Sequence, residues 1–336
     1  MKRIKVDDKR IINCKADLNQ LIPIKYHWAW DKYLKSCANH WMPQEINMGD
    51  DIKQWTGNSL SPQEKMIVKR SLGFFSTADS LVANNIVFSI YRHITNPECR
   101  QYLLRQAFEE ALHTHAYQYC IESLAMDEGE IYNMYHEIPS VSNKAEYCFK
   151  YTEFLSDPTT VTGGYNDAKF LKNLIAYYIV MEGIFFYCGF AQILSMSRFK
   201  KMMGVSEQFQ YIIRDESMHL NFGIDMINQI RIENPNIWTD QFIKSIINII
   251  KEGVELEIEY CHDTMKDEIL GLTRLDLEQY LWYTANLRMK QIDIDYKFKD
   301  VKNPMLWLEE IIEINKEKNF FEGKVNEYQT GGVLKW

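Results

Sequence analysis

Proline and glycine are scarce, with 8 Pro and 15 Gly in 336 residues. An all-β chain needs a turn roughly every 8–12 residues, and so few chain-breakers exclude it. Cysteines do not pair by pattern. The seven (Cys14, Cys37, Cys99, Cys120, Cys148, Cys188 and Cys261) are odd in number and none forms a CxxC, so neither a disulfide framework nor a zinc–thiolate site is indicated. There is no excess of positive charge: 38 Lys+Arg against 46 Asp+Glu give a net charge of −8. A nucleic-acid polymer is therefore not an expected partner. A Gly-rich phosphate loop is also missing. No uninterrupted apolar run approaches the ~18 residues of a membrane span, and MKRIKVDDKR has no apolar stretch of the signal-peptide kind behind its charges. The chain is 46% hydrophobic and 25% charged, enough for a sizeable core and too apolar for global disorder. These features point to a soluble, reduced, cytoplasmic protein.

The order of the chain reads as helices. The first 60 residues are rich in aromatics but lack long periodicity, and suggest short helices and loops over a core made elsewhere. Ser61-Pro62-Gln63-Glu64 is a capping box with Pro at the first helical position. With no further proline until Pro97, it opens a helix of about 30 residues. Thr95-Asn96-Pro97-Glu98 repeats the start signal and opens a second long helix, through Met126. The polar stretch around Ser140–Lys144 and the segment 156–167 read as loops or short helices. Residues 168–196 are apolar around the whole helical circumference, as befits a central buried helix. Further helices are expected over Ser206–Ile232, Thr239–Asp267 and Arg274–Lys290, with a short amphipathic piece at Trp307–Lys318. The Gly-rich tail reads as unattached in the free chain. Several long helices without sustained heptads indicate an all-α bundle in a single domain, residues 1–320, followed by a tail, 321–336.

Two motifs carry chemistry: Glu110-Ala-Leu-His113 and Glu216-Ser-Met-His219. Residues three apart share a helix face, so each pair aims a carboxylate and an imidazole the same way. One Glu-x-x-His alone is more often a solvated face. Two of them, joined by one carboxylate from each of two other helices, make the dinuclear metal site of helical bundles. Asp79, among Phe75, Val82 and Ile86, and Glu182, in the most apolar helix, are the candidates for those carboxylates. Four carboxylates balance two divalent ions, and oxygen with imidazole donors suits iron or manganese better than copper(I) or structural zinc. Tyr117 follows His113 by one turn and Glu110 by two, which puts a phenol beside the metals. Phe186 and Phe190 follow Glu182, and Ile212 precedes Glu216, at helical spacing. They would form a dry apolar box around the phenol, although such residues are ordinarily plain core.

At this point the chain resembles the small, radical-generating subunit of class I ribonucleotide reductases. The motifs are STADSLVANN, AFEEALHTHAYQY, MEGIFFYCGF, IIRDESMHLNFG and the terminal NEYQTGG, from about Trp41 to Trp336. The resemblance implies a ferritin-like bundle with Asp79, Glu110, His113, Glu182, Glu216 and His219 as ligands of two metal ions. It also implies a radical at Tyr117 and a radical pocket of Phe186, Phe190 and Ile212. Trp41, Asp215 and, in the tail, Tyr328 become radical-transfer residues. It further implies O2 as oxidant, a homodimer, and a separate large subunit that the C-terminal tail engages. Iron is the first expectation for the metal, with manganese or a mixed manganese–iron pair also compatible. Gln106 departs from family members that carry Trp there. SLVANN is similar to a subgroup that replaces the radical tyrosine by phenylalanine, yet this chain keeps Tyr117 and keeps Asp at position 79. The rival readings are a bundle-type di-iron oxygenase or desaturase, using the same six ligands on a bound substrate, and ferritin-like iron storage.

Overall fold

The computed structural model describes residues 5–13, 20–157, 159–266 and 268–315. Among these the architecture is helical throughout, with only isolated bridges (Ile12 to Ile94, Ile269 to Leu272) in place of strands. The main helices are α1 (His27–Cys37), α2 (Gly49–Thr56), α3 (Pro62–Asn85), α4 (Pro97–Ser123), α5 (Pro139–Ser156), α6 (Tyr165–Leu174), α7 (Tyr187–Arg198), α8 (Met203–Glu233), α9 (Asp240–Thr264), α10 (Arg274–Gln291) and α11 (Leu306–Asn315).

Local chemistry sets where they start. Ser61 accepts the Glu64 amide at 3.2 Å, and Glu64 accepts the Ser61 amide at 2.8 Å, so α3 begins with a reciprocal cap. Asn96 caps α4 by accepting the Cys99 amide at 3.0 Å, with Pro97 at the first helical position. Thr273 and Asp276 repeat the box at α10. Beyond Asn85, α3 continues through a π-helical turn, Ile86–Ile90, to His93.

The central apolar element is α6 and α7 joined by a π-helical stretch, Ile175–Phe185. By length and composition it could cross a membrane, but its most apolar stretch is completely buried by neighbouring helices. It is the core of the bundle. Helices come unusually close here because glycine allows it. A Cβ on Gly223 would lie 2.0 Å from Cγ of Tyr178, and one on Gly189 would lie 2.5 Å from the Phe75 ring.

One expectation needs correcting. Ser140–Lys144 is the first part of α5, an 18-residue helix with Pro139 at its start. Its polarity misled because Lys144 is buried, paired with Glu257 of α9 and bonded to the Phe185 carbonyl at 3.2 Å. The ammonium also lies over the Phe74 ring, 3.3 Å from its centroid. The trailing residues of the expected 307–318 helix, and the tail with Tyr328, lie outside the described residues.

Candidate metal centre

The six candidate ligands come from four helical elements: Asp79 on α3, Glu110 and His113 on α4, Glu182 in the π-helical stretch, and Glu216 and His219 on α8. All are buried. They form two groups, Asp79–Glu110–His113–Glu216 and Glu110–Glu182–Glu216–His219, in each of which one donor atom per residue lies within 4.8 Å of the others. Glu110 and Glu216 belong to both, as bridging carboxylates would. His113 Nδ1 stands 3.1 Å from Glu216, 3.4 Å from Glu110 and 3.7 Å from Asp79. His219 Nδ1 stands 3.1 Å from Glu110, 3.3 Å from Glu216 and 3.9 Å from Glu182.

Protein hydrogen bonds do not satisfy this cluster. Both oxygens of Asp79 and of Glu110, Oε2 of Glu182, Oε1 of Glu216 and Nδ1 of His113 are buried without a hydrogen-bond partner. Unpaired polar atoms this deep are costly. Their convergence on two centres, through oxygen and imidazole donors only, is what two hard or borderline divalent cations require. Without cations the charges conflict. Burial, then repulsion from Glu110 and Glu216, pushes the Asp79 pKa well above the usual carboxylate range. Burial and the same crowding do so for Glu182. Both imidazoles are opposed by burial yet held well above their ordinary pKa by the surrounding carboxylates.

The outer faces of the imidazoles are held too. His113 Nε2 lies 3.2 Å from Asp215 Oδ2, which also accepts the Trp41 indole N–H at 2.9 Å. Asn39 donates to the other Asp215 oxygen. Trp41, distant in sequence, is thus brought within one carboxylate of a candidate ligand. Glu182 accepts from Gln106 at 3.2 Å, and Gln106 in turn accepts from Tyr178 at 3.0 Å. A glutamine at position 106 therefore bonds this candidate ligand from α4.

Tyr117 is fully buried. Its pKa is driven well above the usual tyrosine value, first by burial and then by the nearby carboxylates Asp79 and Glu216, and its hydroxyl has no hydrogen-bond partner among the described residues. The rings packed on it are Phe75, at 5.6 Å between centroids, and Phe209, at 5.7 Å. Neither belongs to the pocket of Phe186, Phe190 and Ile212 that the resemblance implies. Phe209, two turns before Glu216, had the spacing to be found, whereas Phe75 required knowing how α3 faces α4. Phe186 and Phe190 pack on Phe75 at 5.3 and 5.1 Å, forming the layer behind it. Ile212 is buried one turn before Glu216.

The family model "Ribonucleotide reductase, small chain" matches residues 18–304. The chain is 50% identical to the ribonucleoside-diphosphate reductase subunit beta of Chlamydia pneumoniae, over 100% of this chain and 97% of that one. It is 30% identical to the subunit of the same name from Treponema pallidum, over 95% and 90% of the two chains. The ribonucleotide reductase R2 subunit from Clostridium botulinum superposes with a TM-score of 0.82 at 29% identity, covering 90% of this chain and 94% of that one. A ferritin-like bundle, two linked carboxylate–histidine groups at its centre and this extent of sequence identity lead to one conclusion: the chain belongs to the ribonucleotide reductase small-chain family.

Proposed function

We propose that this chain is the small subunit of a ribonucleoside-diphosphate reductase that stores an oxidising equivalent as a radical on Tyr117. A separate large subunit uses that radical to reduce ribonucleotides to 2′-deoxyribonucleotides. The observation that carries this reading is the pair of unsatisfied ligand groups sharing Glu110 and Glu216, with a buried phenol against Asp79. Asp79, Glu110, His113, Glu182, Glu216 and His219 hold two metal ions per chain, iron in the first instance, with manganese or one of each suiting the same donors. When bound, the ions supply the redox and O2 chemistry that removes one electron from a phenol.

The protein's own residues do the rest. Phe75 and Phe209 cover the Tyr117 ring, with Phe186, Phe190 and Ile212 behind or beside them, and keep water from a reactive phenoxyl. Burial keeps the phenol protonated, so its oxidation must release a proton, and Asp79 is the neighbouring acceptor. Asp215 fixes His113 from outside and links it to Trp41, which gives an electron a hydrogen-bonded way in from the surface as the oxidising equivalent passes out. Residues 1–320 form the ferritin-like domain. The tail, 321–336, docks on the large subunit through Val333, Leu334 and Trp336, with Tyr328 as a redox stepping stone between the proteins. The subunit works as a cytoplasmic homodimer and needs neither nucleic acid nor membrane.

The test is EPR after anaerobic Fe(II) loading and exposure to O2. The wild-type chain gives a tyrosyl signal. Tyr117→Phe binds the same metal and gives no such signal. A wild-type chain that binds two metals but shows no radical under either iron or manganese loading would shift the reading to a substrate-oxidising bundle enzyme. Removing Val333–Trp336 leaves the radical intact and weakens association with the large subunit, read by co-sedimentation.

A further inference from the structure

Glu109 has no place in the ligand set, yet it is fully buried. Its Oε2 lies 2.8 Å from His219 Nε2. Its Oε1 accepts from Ser36 Oγ at 2.5 Å and from Arg105 Nε at 3.0 Å. Arg105 is itself fixed by donating from Nη2 to the Asn39 carbonyl at 3.0 Å, and Asn39 donates to Asp215. A carboxylate taken from water is costly, and the bonds to Glu109 run from a serine and an arginine on one side to the back of a metal-site imidazole on the other.

The arrangement mirrors the opposite histidine. In an α-helix one residue turns the side chain by about 100°, so the acid before each Glu-x-x-His glutamate points away from the cluster and toward the facing helix. Asp215, before Glu216, reaches His113 on the other motif. Glu109, before Glu110, reaches His219. The two motifs thus exchange supports. The exchange is not symmetric, because Asp215 continues to the Trp41 indole whereas Glu109 ends on Arg105 and Ser36.

We propose that Glu109, held by Arg105 and Ser36, is the positioning residue for His219. By accepting its Nε2–H it fixes the tautomer and ring orientation that present Nδ1 to one of the two metal positions. This rests on the dinuclear-site reading above. Carboxylates behind ligating histidines act in this way, and losing one typically weakens metal binding by about 10–100-fold.

The experiment is an anaerobic Mn(II) titration of the full chain at one pH, with free ion counted by EPR, for wild type, Glu109→Leu and Glu109→Gln. Wild type binds two ions. Glu109→Leu weakens one of the two sites by about 10–100-fold and leaves the other as it was. Glu109→Gln, which keeps an acceptor oxygen but loses the charge, weakens the same site by less, since a charge-assisted bond is roughly twice as strong as a neutral one. If wild type binds two ions and both variants bind both with wild-type affinity, Glu109 does not position His219. Equal loss at both sites in either variant would also overturn the proposal, because it would mark a general packing role. Where Glu109→Leu does not fold, the Glu109→Gln result decides by the same criteria. Failure of wild type itself to bind two ions would instead remove the dinuclear reading, and this inference with it.

Discussion

Trp41 donates its indole N–H to Asp215 Oδ2 at 2.9 Å, and the same oxygen stands 3.2 Å from His113 Nε2. One carboxylate oxygen therefore bridges a tryptophan near the start of the chain and a ligand candidate at its centre. The indole is nearly buried and is stacked by the Tyr211 ring at 5.3 Å and 14°, so its orientation is fixed from two directions.

Trp41→Phe keeps that stack and removes the N–H. It is expected to leave Mn(II) binding and the Tyr117 radical unchanged, because Asn39 still holds Asp215, while ribonucleotide reduction with the large subunit falls to background. EPR and a turnover assay on one preparation measure both. Full turnover by Trp41→Phe would show that the electron arrives by another way.

The crowded carboxylates make an unusual expectation for stability. Burial and mutual repulsion oppose the charged forms of Asp79 and Glu182, so the metal-free protein gains little from them. Glu182→Ala should abolish tight binding of one ion yet leave urea unfolding of the apoprotein unchanged or shifted to higher urea. Glu216→Ala, which removes a shared ligand, should weaken both ions. Two ions bound normally by the Glu216→Ala chain would sink the ligand assignment.

The Lys144–Glu257 pair predicts a pH-dependent cost. Burial raises the Glu257 pKa to about 7 despite the nearby ammonium. A raised carboxyl pKa gives stability that is fully present below the unfolded value and lost as pH rises through about 7. Lys144→Met removes the cation that makes the ionised form tolerable. At pH 8 it should therefore cost about 3–5 kcal/mol, the range for breaking a buried pair. At pH 5, where Glu257 is already neutral, it should cost clearly less. Urea unfolding at the two pH values checks this, and an equal cost at both would contradict it.

Gly223 lies against the Tyr178 ring, whose hydroxyl donates to Gln106 and so supports the Gln106–Glu182 bond. Gly223→Ala should force α8 away from the central helix and cost at least about 1–3 kcal/mol, the usual range for overpacking. It should also weaken metal binding on the Glu182 side. Calorimetry and metal titration read the two effects separately, and an Ala variant as stable as wild type would mean that the helices shift freely here.

The amino-acid sequence by itself determined the helical class, the starts of α3 and α4, and the cluster of ligand candidates. Each is local: Ser61–Glu64 and Asn96–Pro97 act within one turn, and Glu-x-x-His places two donors on one face by helical periodicity alone. The buried carboxylates Asp79 and Glu182 were legible because a charge among apolar neighbours demands a reason. Only the tertiary structure decided the rest. Glu109 and Glu110 look alike in sequence, and which of them faces the cluster depends on how α4 is rotated against α8. Phe75 meets Tyr117 because of the way α3 faces α4. Lys144 sits inside a helix because its counter-charge, Glu257, arrives from another helix. The π-helical winding that carries Glu182 left no mark in composition, since it is imposed by packing on all sides and not by local propensity. Periodicity fixes which residues share a face, but what that face meets is set by contacts between segments far apart in the chain, and no local pattern encodes those.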